Sequence, residues 1–323
     1  MAGSITALIT GASGFLGTSL RHALERSGSL IIAVPSGPHD LPPSIRCENL
    51  YQALVATFRS RHVDVVFHLA GAGTPYVDGL GPHYQHGANV LSTEAVTRAI
   101  EATDFGGRVV FSSSASVYGN SGIRRVIEDD PLRPCTEYGH AKAQAEACLV
   151  KRLSQRCELR IARIFHVFGP GQRKLAVFDL ASRVLSGERP LGVRGTGEEM
   201  RDFIFIEDAV RALIFLGVER AKGAAPQIVN VCSGVPTRIG DLARLLLHLA
   251  DRSEHEIQFR PEEAANPVVA CVGDPGRLAR LGLTLPCASA PHFEATLSWI
   301  RSDTIPTTQR PSPAQVGMTV GDS

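Results

Sequence analysis

The chain has 323 residues, 44% of them hydrophobic and 20% charged, ordinary values for a globular enzyme that can bury a full core. A formal net charge of +1 excludes a general electrostatic pull toward nucleic acid or an anionic membrane, so any phosphate must be gripped by a local site. The seven cysteines (47, 135, 148, 157, 232, 271 and 287) are scattered, without Cys-x-x-Cys or a Cys/His cluster at ligand spacing. Reduced thiols in a cytoplasmic protein, and no metal centre, are expected.

Met1 leads into the apolar residues 5–9 without a charged leader, and no apolar stretch reaches the roughly 20 residues a bilayer span needs. A soluble protein is expected. Residues 5–10 form a short run rich in β-branched side chains, which meets a glycine-rich turn and a helix over 15–27. A second run, 30–34, ends at Pro35-Ser36-Gly37-Pro38. Further apolar runs at 63–69, 108–112 and 159–164 alternate with helices such as 88–102 and 138–156. Runs apolar on both faces and separated by helices predict a parallel sheet buried on both sides, the α/β doubly wound (Rossmann) arrangement.

Beyond Gly169-Pro170-Gly171 the pattern loosens. A helix at 175–186, a glycine-rich stretch at 187–197, a strand at 202–206 and a helix at 208–219 follow. A strand at 228–232, a helix at 239–250, a strand at 256–260 and a helix at 292–301 complete the folded part. The expected division gives residues 1–170, with about 202–234, to the dinucleotide-binding domain. Residues 171–201 and 235–303 form a smaller α/β substrate-binding lobe that threads back into the first sheet. The stretch 304–323, rich in Pro, Thr, Ser and Gly, is expected to be disordered.

Gly11-Ala12-Ser13-Gly14-Phe15-Leu16-Gly17 lies where the first strand meets the first helix. Glycines let the backbone turn sharply and approach a pyrophosphate, while the helix N-terminus offers free N–H groups and partial positive charge. At the end of the second strand an acidic residue would grip ribose hydroxyls and repel a 2′-phosphate. Pro35, Ser36 and Gly37 carry no carboxylate, and Ser36 can donate to a 2′-phosphate, so NADP is expected over NAD.

Tyr138-Gly139-His140-Ala141-Lys142 places a phenol and an ammonium on one face of a helix. A phenol of ordinary pKa is a poor base at neutral pH, and a nearby ammonium and the cofactor's positive nicotinamide are expected to lower it. Upstream, Phe111-Ser112-Ser113-Ser114-Ala115-Ser116-Val117-Tyr118-Gly119 ends the fourth strand, where a hydroxyl can hydrogen-bond a carbonyl oxygen opposite the phenol.

With these pieces in order, the chain resembles the extended short-chain dehydrogenase/reductase family, in its nucleotide-sugar epimerase, dehydratase and ketoreductase branch. The resemblance runs from about residue 4 to 303. It rests on the glycine turn, His68-Leu69-Ala70, Asn89, the serine block and Tyr138/Lys142. It continues through Arg163-Ile164-Phe165-His166-Val167-Phe168-Gly169-Pro170-Gly171, Arg201-Asp202-Phe203-Ile204 with Asp208, and Asn230-Val231-Cys232-Ser233-Gly234.

The resemblance implies that Tyr138 is the acid/base, Lys142 its modulator and a holder of the nicotinamide ribose, and Ser114 the hydroxyl that orients the sugar carbonyl. It assigns the cofactor to Gly11, Ser13, Gly14, Phe15, Leu16, Gly17, Ser36, Ala70, Tyr138 and Lys142. Arg201 would contact the substrate diphosphate, beside His166, which stands where the family usually has Asn. Asp208 reads as the N-cap of helix 208–219. Asn89 reads as fixing backbone near the cofactor. Dehydratases carry acidic residues after the catalytic hydroxyl; here those positions are Ala115 and Ser116, which disfavours loss of water. The expected partner is a nucleotide sugar, and the resemblance implies a homodimer through helices 88–102 and 138–156.

Two outcomes fit. A ketoreductase would use exchangeable NADPH on a 4-keto sugar, and an epimerase would keep NAD and return the hydride to the other face. The missing acid after the second strand favours the first, whereas the serine block reads more like the epimerases. Reduction of a non-sugar carbonyl, or a non-catalytic NAD(P)-sensing role, are the remaining alternatives.

Overall fold

The computed structural model describes residues 4–34, 42–71, 82–219, 227–263 and 269–304, with the backbone alone for Pro43, residues 82–85 and Thr304. In chain order these form β1 (Thr6–Thr10), α1 (Phe15–Arg26), β2 (Leu30–Val34), α2 (Pro43–Ser60), β3 (Val65–His68), α3 (Pro82–Glu101) and β4 (Arg108–Ser114). Next come β5 (Arg125–Val126), α4 (Glu137–Leu153), β6 (Glu158–Ile164), β7 (His166–Phe168), α5 (Leu175–Ser186), β8 (Leu191–Arg194) and β9 (Met200–Phe205). The remainder is α6 (Ile206–Val218), β10 (Gln227–Val231), β11 (Pro236–Arg238), α7 (Ile239–Leu249), β12 (Ile257–Arg260), β13 (Ala270–Gly273), α8 (Gly276–Leu281) and α9 (Ala290–Thr304).

Six strands make an all-parallel sheet in the order β10-β6-β4-β3-β1-β2. Its strands are apolar on both sides because both faces are covered. Leu8, Val66, Val96, Phe111 and Leu149 meet on one face. Ile9, Phe67 and Leu213 meet on the other, in a core that continues through Phe168 and Val184 to Phe293. The chain leaves β1 for β2 on one side and returns to β3 on the other. The crevice between the C-terminal ends of β1 and β3 is therefore the switch point at which open α/β sheets bind ligands.

A second sheet runs β11-β9-β13-β5, with β7 also pairing β9, and β8 pairs β12 in a two-stranded ribbon. This corrects the division expected from the sequence. The strand expected at 202–206, given above to the first domain, is β9 and hydrogen-bonds into the second sheet, as do β5 and β7 from the segment before residue 170. Of the described strands after residue 170, only β10 returns to the first sheet, where it pairs with β6. An aromatic cluster joins the layers: Phe168 stacks on Phe293 with ring centroids 4.5 Å apart and meets Phe203 and Phe205 edge-on at 6.0 and 5.7 Å.

A second correction concerns α6. Phe205 and Ile206 are buried and draw the helix start two residues forward, so Asp208 is not the cap. It lies in the first turn, where a carboxylate suits the helix dipole, 3.0 Å from Arg211. Of the expected tail 304–323, Thr304 is the last residue of α9 and the rest lies outside the described residues.

Candidate active site

The glycine turn occupies the switch point. Gly11 adopts φ 74°, in the left-handed region, and its missing side chain brings its backbone against the next strand's exit: a Cβ there would lie 2.8 Å from Ala70 N. A Cβ on Gly17 would lie 2.1 Å from Gly11 O, so the first turn of α1 can fold onto the loop only as glycine. Gly14 caps α1 without a side-chain hydrogen bond, and the first turn holds no acidic residue. The leading N–H groups around Phe15 and Leu16 thus face an uncapped end, beside exposed Ser13. Backbone donors, glycine clearance and a helix dipole fit a dinucleotide diphosphate.

A buried relay holds the neighbouring strand exit in place. Thr10 Oγ1 bonds His68 Nδ1 at 2.8 Å, His68 Nε2 bonds Thr93 Oγ1 at 3.0 Å, and Ala70 N donates to Thr10 Oγ1 at 3.2 Å. Burial, helped by the Lys142 charge, pushes His68 down to about 3, so the ring bridges as a neutral imidazole. Asn89, on α3, is buried with its amide oxygen against Gly71. Ser36, expected to contact the cofactor, lies outside the described residues.

Ser114, Tyr138 and Lys142 meet one strand over, at the end of β4. Thr136 caps α4 by accepting from Gly139 N at 3.1 Å, which sets where the helix begins and hence which residues face β4. The Ser114 hydroxyl lies beside the Tyr138 phenol, donates to Ser116 Oγ at 3.1 Å and accepts from Ser116 N at 3.2 Å. Lys142 is buried, donates from Nζ to Ser112 O at 3.0 Å, and has Nζ 5.8 Å from the centre of the Tyr138 ring. The sequence led to an expected lowering of the phenol. In the folded chain burial dominates and raises Tyr138 to about 12, against the opposing Ser114 hydroxyl. Lys142 carries its share of the same burial and falls to about 8, with Glu146 opposing.

Motif reading missed the polar cluster behind this pair. Glu146, one turn beyond Lys142, accepts from Ser113 Oγ at 2.5 Å and from Arg163 Nη2 at 2.8 Å. Arg163 Nη1 donates to Tyr118 Oη and to Glu128 O, both at 2.9 Å. Tyr118 in turn donates to Asn230 Oδ1 at 2.7 Å, and Asn230 N to Glu128 Oε1 at 2.8 Å.

The lobe brings His166 and Arg201 together by strand register. Ser114 pairs with Ile164, His166 follows on β7 opposite Phe203, and Arg201 is two residues earlier on β9. Burial and the Arg201 charge push His166 down to about 3, with the Asp202 carbonyl opposing, so it is a neutral ring whose buried Nδ1 has no hydrogen-bond partner. Arg201 is buried, and its Nη1 donates to Met200 O at 2.8 Å. Its register partner Cys271 points its thiol at Ala115 O, at 3.8 Å. Asp202 accepts from Ser233 N and Gly234 N at 2.9 Å, from Ser233 Oγ at 2.7 Å and from Gly273 N at 3.2 Å, locking the turns beside β9. Among the described residues no helix is long and apolar enough to cross a membrane.

With this geometry the chain was compared with known proteins. It is 27% identical over 302 residues to the GDP-6-deoxy-D-mannose reductase of Pseudomonas aeruginosa, covering 90% of each chain. It is 30% identical over 225 residues to the uncharacterised UDP-glucose epimerase YtcB of Bacillus subtilis, covering 64% of this chain and 70% of that one. Its fold matches that of the UDP-glucuronic acid 4-epimerase of Bacillus cereus, solved with UDP-glucuronic acid and NAD. The TM-score is 0.79 at 23% identity, over 92% of this chain and 99% of that one. The model of the NAD dependent epimerase/dehydratase family matches residues 7–232, and the chain belongs to that family.

Proposed function

We propose that the chain moves hydride between a nicotinamide dinucleotide and carbon 4 of a nucleotide-linked hexose, and that it works as a 4-ketoreductase. The observation that carries this reading is the meeting of Ser114, Tyr138 and Lys142 at the end of β4, one strand from the glycine cradle, with the phenol held protonated. A reduction needs a proton donor, and a buried neutral phenol is one. In this mechanism Ser114 hydrogen-bonds the carbonyl oxygen and Tyr138 delivers its proton to that oxygen. Lys142 holds the ribose hydroxyls and, as an ammonium, offsets the charge left on the phenolate. When bound, the nicotinamide supplies the hydride.

Gly11, Ser13, Gly14, Phe15, Leu16, Gly17 and Ala70 would hold the cofactor. Arg201, beside neutral His166, would meet the substrate diphosphate. Ala115 and Ser116 provide no carboxylate for elimination, which leaves hydride transfer as the chemistry. Pro35, Ser36 and Gly37 contain no acid to repel a 2′-phosphate, which supports NADPH as the exchanging reductant. The near full-length relation to a GDP-6-deoxy-D-mannose reductase supports the same direction. A cytoplasmic location and a homodimer through α3 and α4 complete the proposal, the latter tested by light scattering.

A second reading, a 4-epimerase that keeps its NAD, is favoured by the NAD dependence of the family and by the relation to YtcB. Denaturing the purified protein and identifying any released dinucleotide by mass spectrometry separates the two. A reductase yields an empty site that binds NADPH and consumes it with a 4-keto nucleotide sugar. NAD recovered at near-stoichiometric amounts would replace the reductase with the epimerase.

A further inference from the structure

Ser112, Ser113 and Ser114 are consecutive on β4, and three side chains from successive turns of α4 meet them. Tyr138 lies beside the Ser114 hydroxyl, Lys142 Nζ donates to Ser112 O at 3.0 Å, and Glu146 accepts from Ser113 Oγ at 2.5 Å. Positions 138, 142 and 146 share one helix face. Glu146 and Lys142 are each only 4% exposed, too buried for a carboxylate or an ammonium to stand without compensation. Glu146 is compensated by Arg163, whose Nε and Nη2 both reach it and whose Nη1 is occupied by Tyr118 Oη and Glu128 O. The carboxylate is therefore fixed in place from two strands, β4 and β6.

We propose that Glu146 is a positioning residue of the catalytic centre: it locks the Tyr138/Lys142 face of α4 against β4 and supplies the buried negative charge that keeps Lys142 an ammonium. What this does for catalysis rests on the function proposed above; the device itself does not.

The groups facing Lys142 leave this role to Glu146 among the described residues. From α4 comes Tyr138, which burial keeps protonated. From β3 comes His68, which burial keeps neutral. On α3, Asn89 is uncharged, and on β6 the Arg163 cation is matched by Glu146 itself. Burial pushes Lys142 down and the Glu146 carboxylate opposes it, leaving the ammonium at about 8. Glu146→Gln preserves the shape and an acceptor for Ser113, but removes the charge and leaves Arg163 unopposed. Both changes act on Lys142 in the same direction.

The chain has four lysines, at 142, 151, 174 and 222, so protein labelled with carbon-13 at the lysine Cε gives few signals to titrate. Lys142 is assigned by its loss in Lys142→Arg. In Glu146→Gln the Lys142 midpoint is expected to fall by about one pH unit or more, with the other three unmoved. Because an unpaired Arg163 can prevent folding, Glu146→Gln is also combined with Arg163→Met, which removes both charges. The double variant is expected to titrate between the single variant and wild type. A Lys142 midpoint equal to wild type in either folded variant overturns the proposal, leaving Glu146 a packing role. No substrate or cofactor enters this measurement, so it stands whether or not NADPH and a 4-keto sugar react.

Discussion

The backbone of Gly11 runs so close to that of Ala70 that a Cβ on Gly11 would sit 2.8 Å from the Ala70 nitrogen. That nitrogen is itself fixed, donating to Thr10 Oγ1 at 3.2 Å within the His68 relay. The exits of β1 and β3 therefore move together. Gly11→Ala adds about 1–2 kcal/mol for a left-handed backbone and forces Ala70 away as well. The expected outcome is a lowered melting temperature and a loss of more than about tenfold in dinucleotide affinity, or about 1.4 kcal/mol. Calorimetry on the variant checks both, and an affinity equal to wild type would remove the cradle from this loop.

Tyr138 is held protonated by burial, at about 12, and its proton is the one proposed to reach the substrate. Tyr138→Phe is expected to lower kcat/KM by about 10²–10⁴, the usual contribution of a placed acid. Dinucleotide affinity should fall far less, because the phosphate grip lies on β1 and α1. Raising the pH through about 8 removes the Lys142 proton, so the reductive rate of the wild type should decline there. A reductive rate unchanged by Tyr138→Phe would show that the proton comes from elsewhere.

The parts of the site that were legible in the sequence are those built locally. The glycine turn lies between a strand and a helix, and the Tyr138–Lys142 spacing is a property of a single helix, so neither needs to know the sheet order. The Glu146–Arg163–Tyr118–Asn230 cluster spans 112 residues between Tyr118 and Asn230 and exists only because β10 returns to pair with β6. One signal was available: Arg160 and Arg163 interrupt the apolar run at 159–164, and a cation in a strand covered on both faces must find partners. The sheet assignment of 200–205 was not legible, because continuous burial reports a covered strand and not which sheet covers it. Its partners β7 and β11, at three residues each, are too short to carry any period. The ammonium alone does not lower Tyr138: Lys142 lies with its Nζ 5.8 Å from the ring centre, and desolvation of the buried phenol dominates.

Arg160 is the other charged residue in that run, and its outcome differs from that of Arg163. Its side chain is 1% exposed and Nη1 donates to Leu159 O at 3.3 Å, yet Nε and Nη2 have no hydrogen-bond partner, and the Glu158 carboxylate lies 3.6 Å away and half exposed. Glu158 is also claimed by Arg108. A buried cation so poorly compensated costs stability, and replacing it by an apolar side chain of similar length removes that cost. Arg160→Met is expected to stabilise the fold by about 1–4 kcal/mol. Urea unfolding of the two proteins at equal slope decides it, and a destabilised variant would mean that the arginine is better satisfied than its geometry implies.

His68 and His166 both sit near 3 in the folded chain, through burial reinforced by Lys142 and by Arg201 respectively. An unfolded histidine takes up its proton near 6.5. Between those two values the unfolded chain binds more protons than the folded one, so stability falls as the pH falls. Each ring contributes up to about 1.4 kcal/mol per pH unit across that window, and the two together up to about twice that. The loss should therefore begin near pH 6.5, well above the carboxylate range. His68→Gln retains hydrogen-bonding capacity toward Thr10 and Thr93 but cannot be protonated. Its denaturant midpoint should be lower than that of wild type at pH 7, and should decline less steeply between pH 6.5 and 5. Parallel pH dependences for wild type and variant would show that the relay histidine is protonated in the folded protein and that its bridge to Thr10 and Thr93 is not the neutral one described.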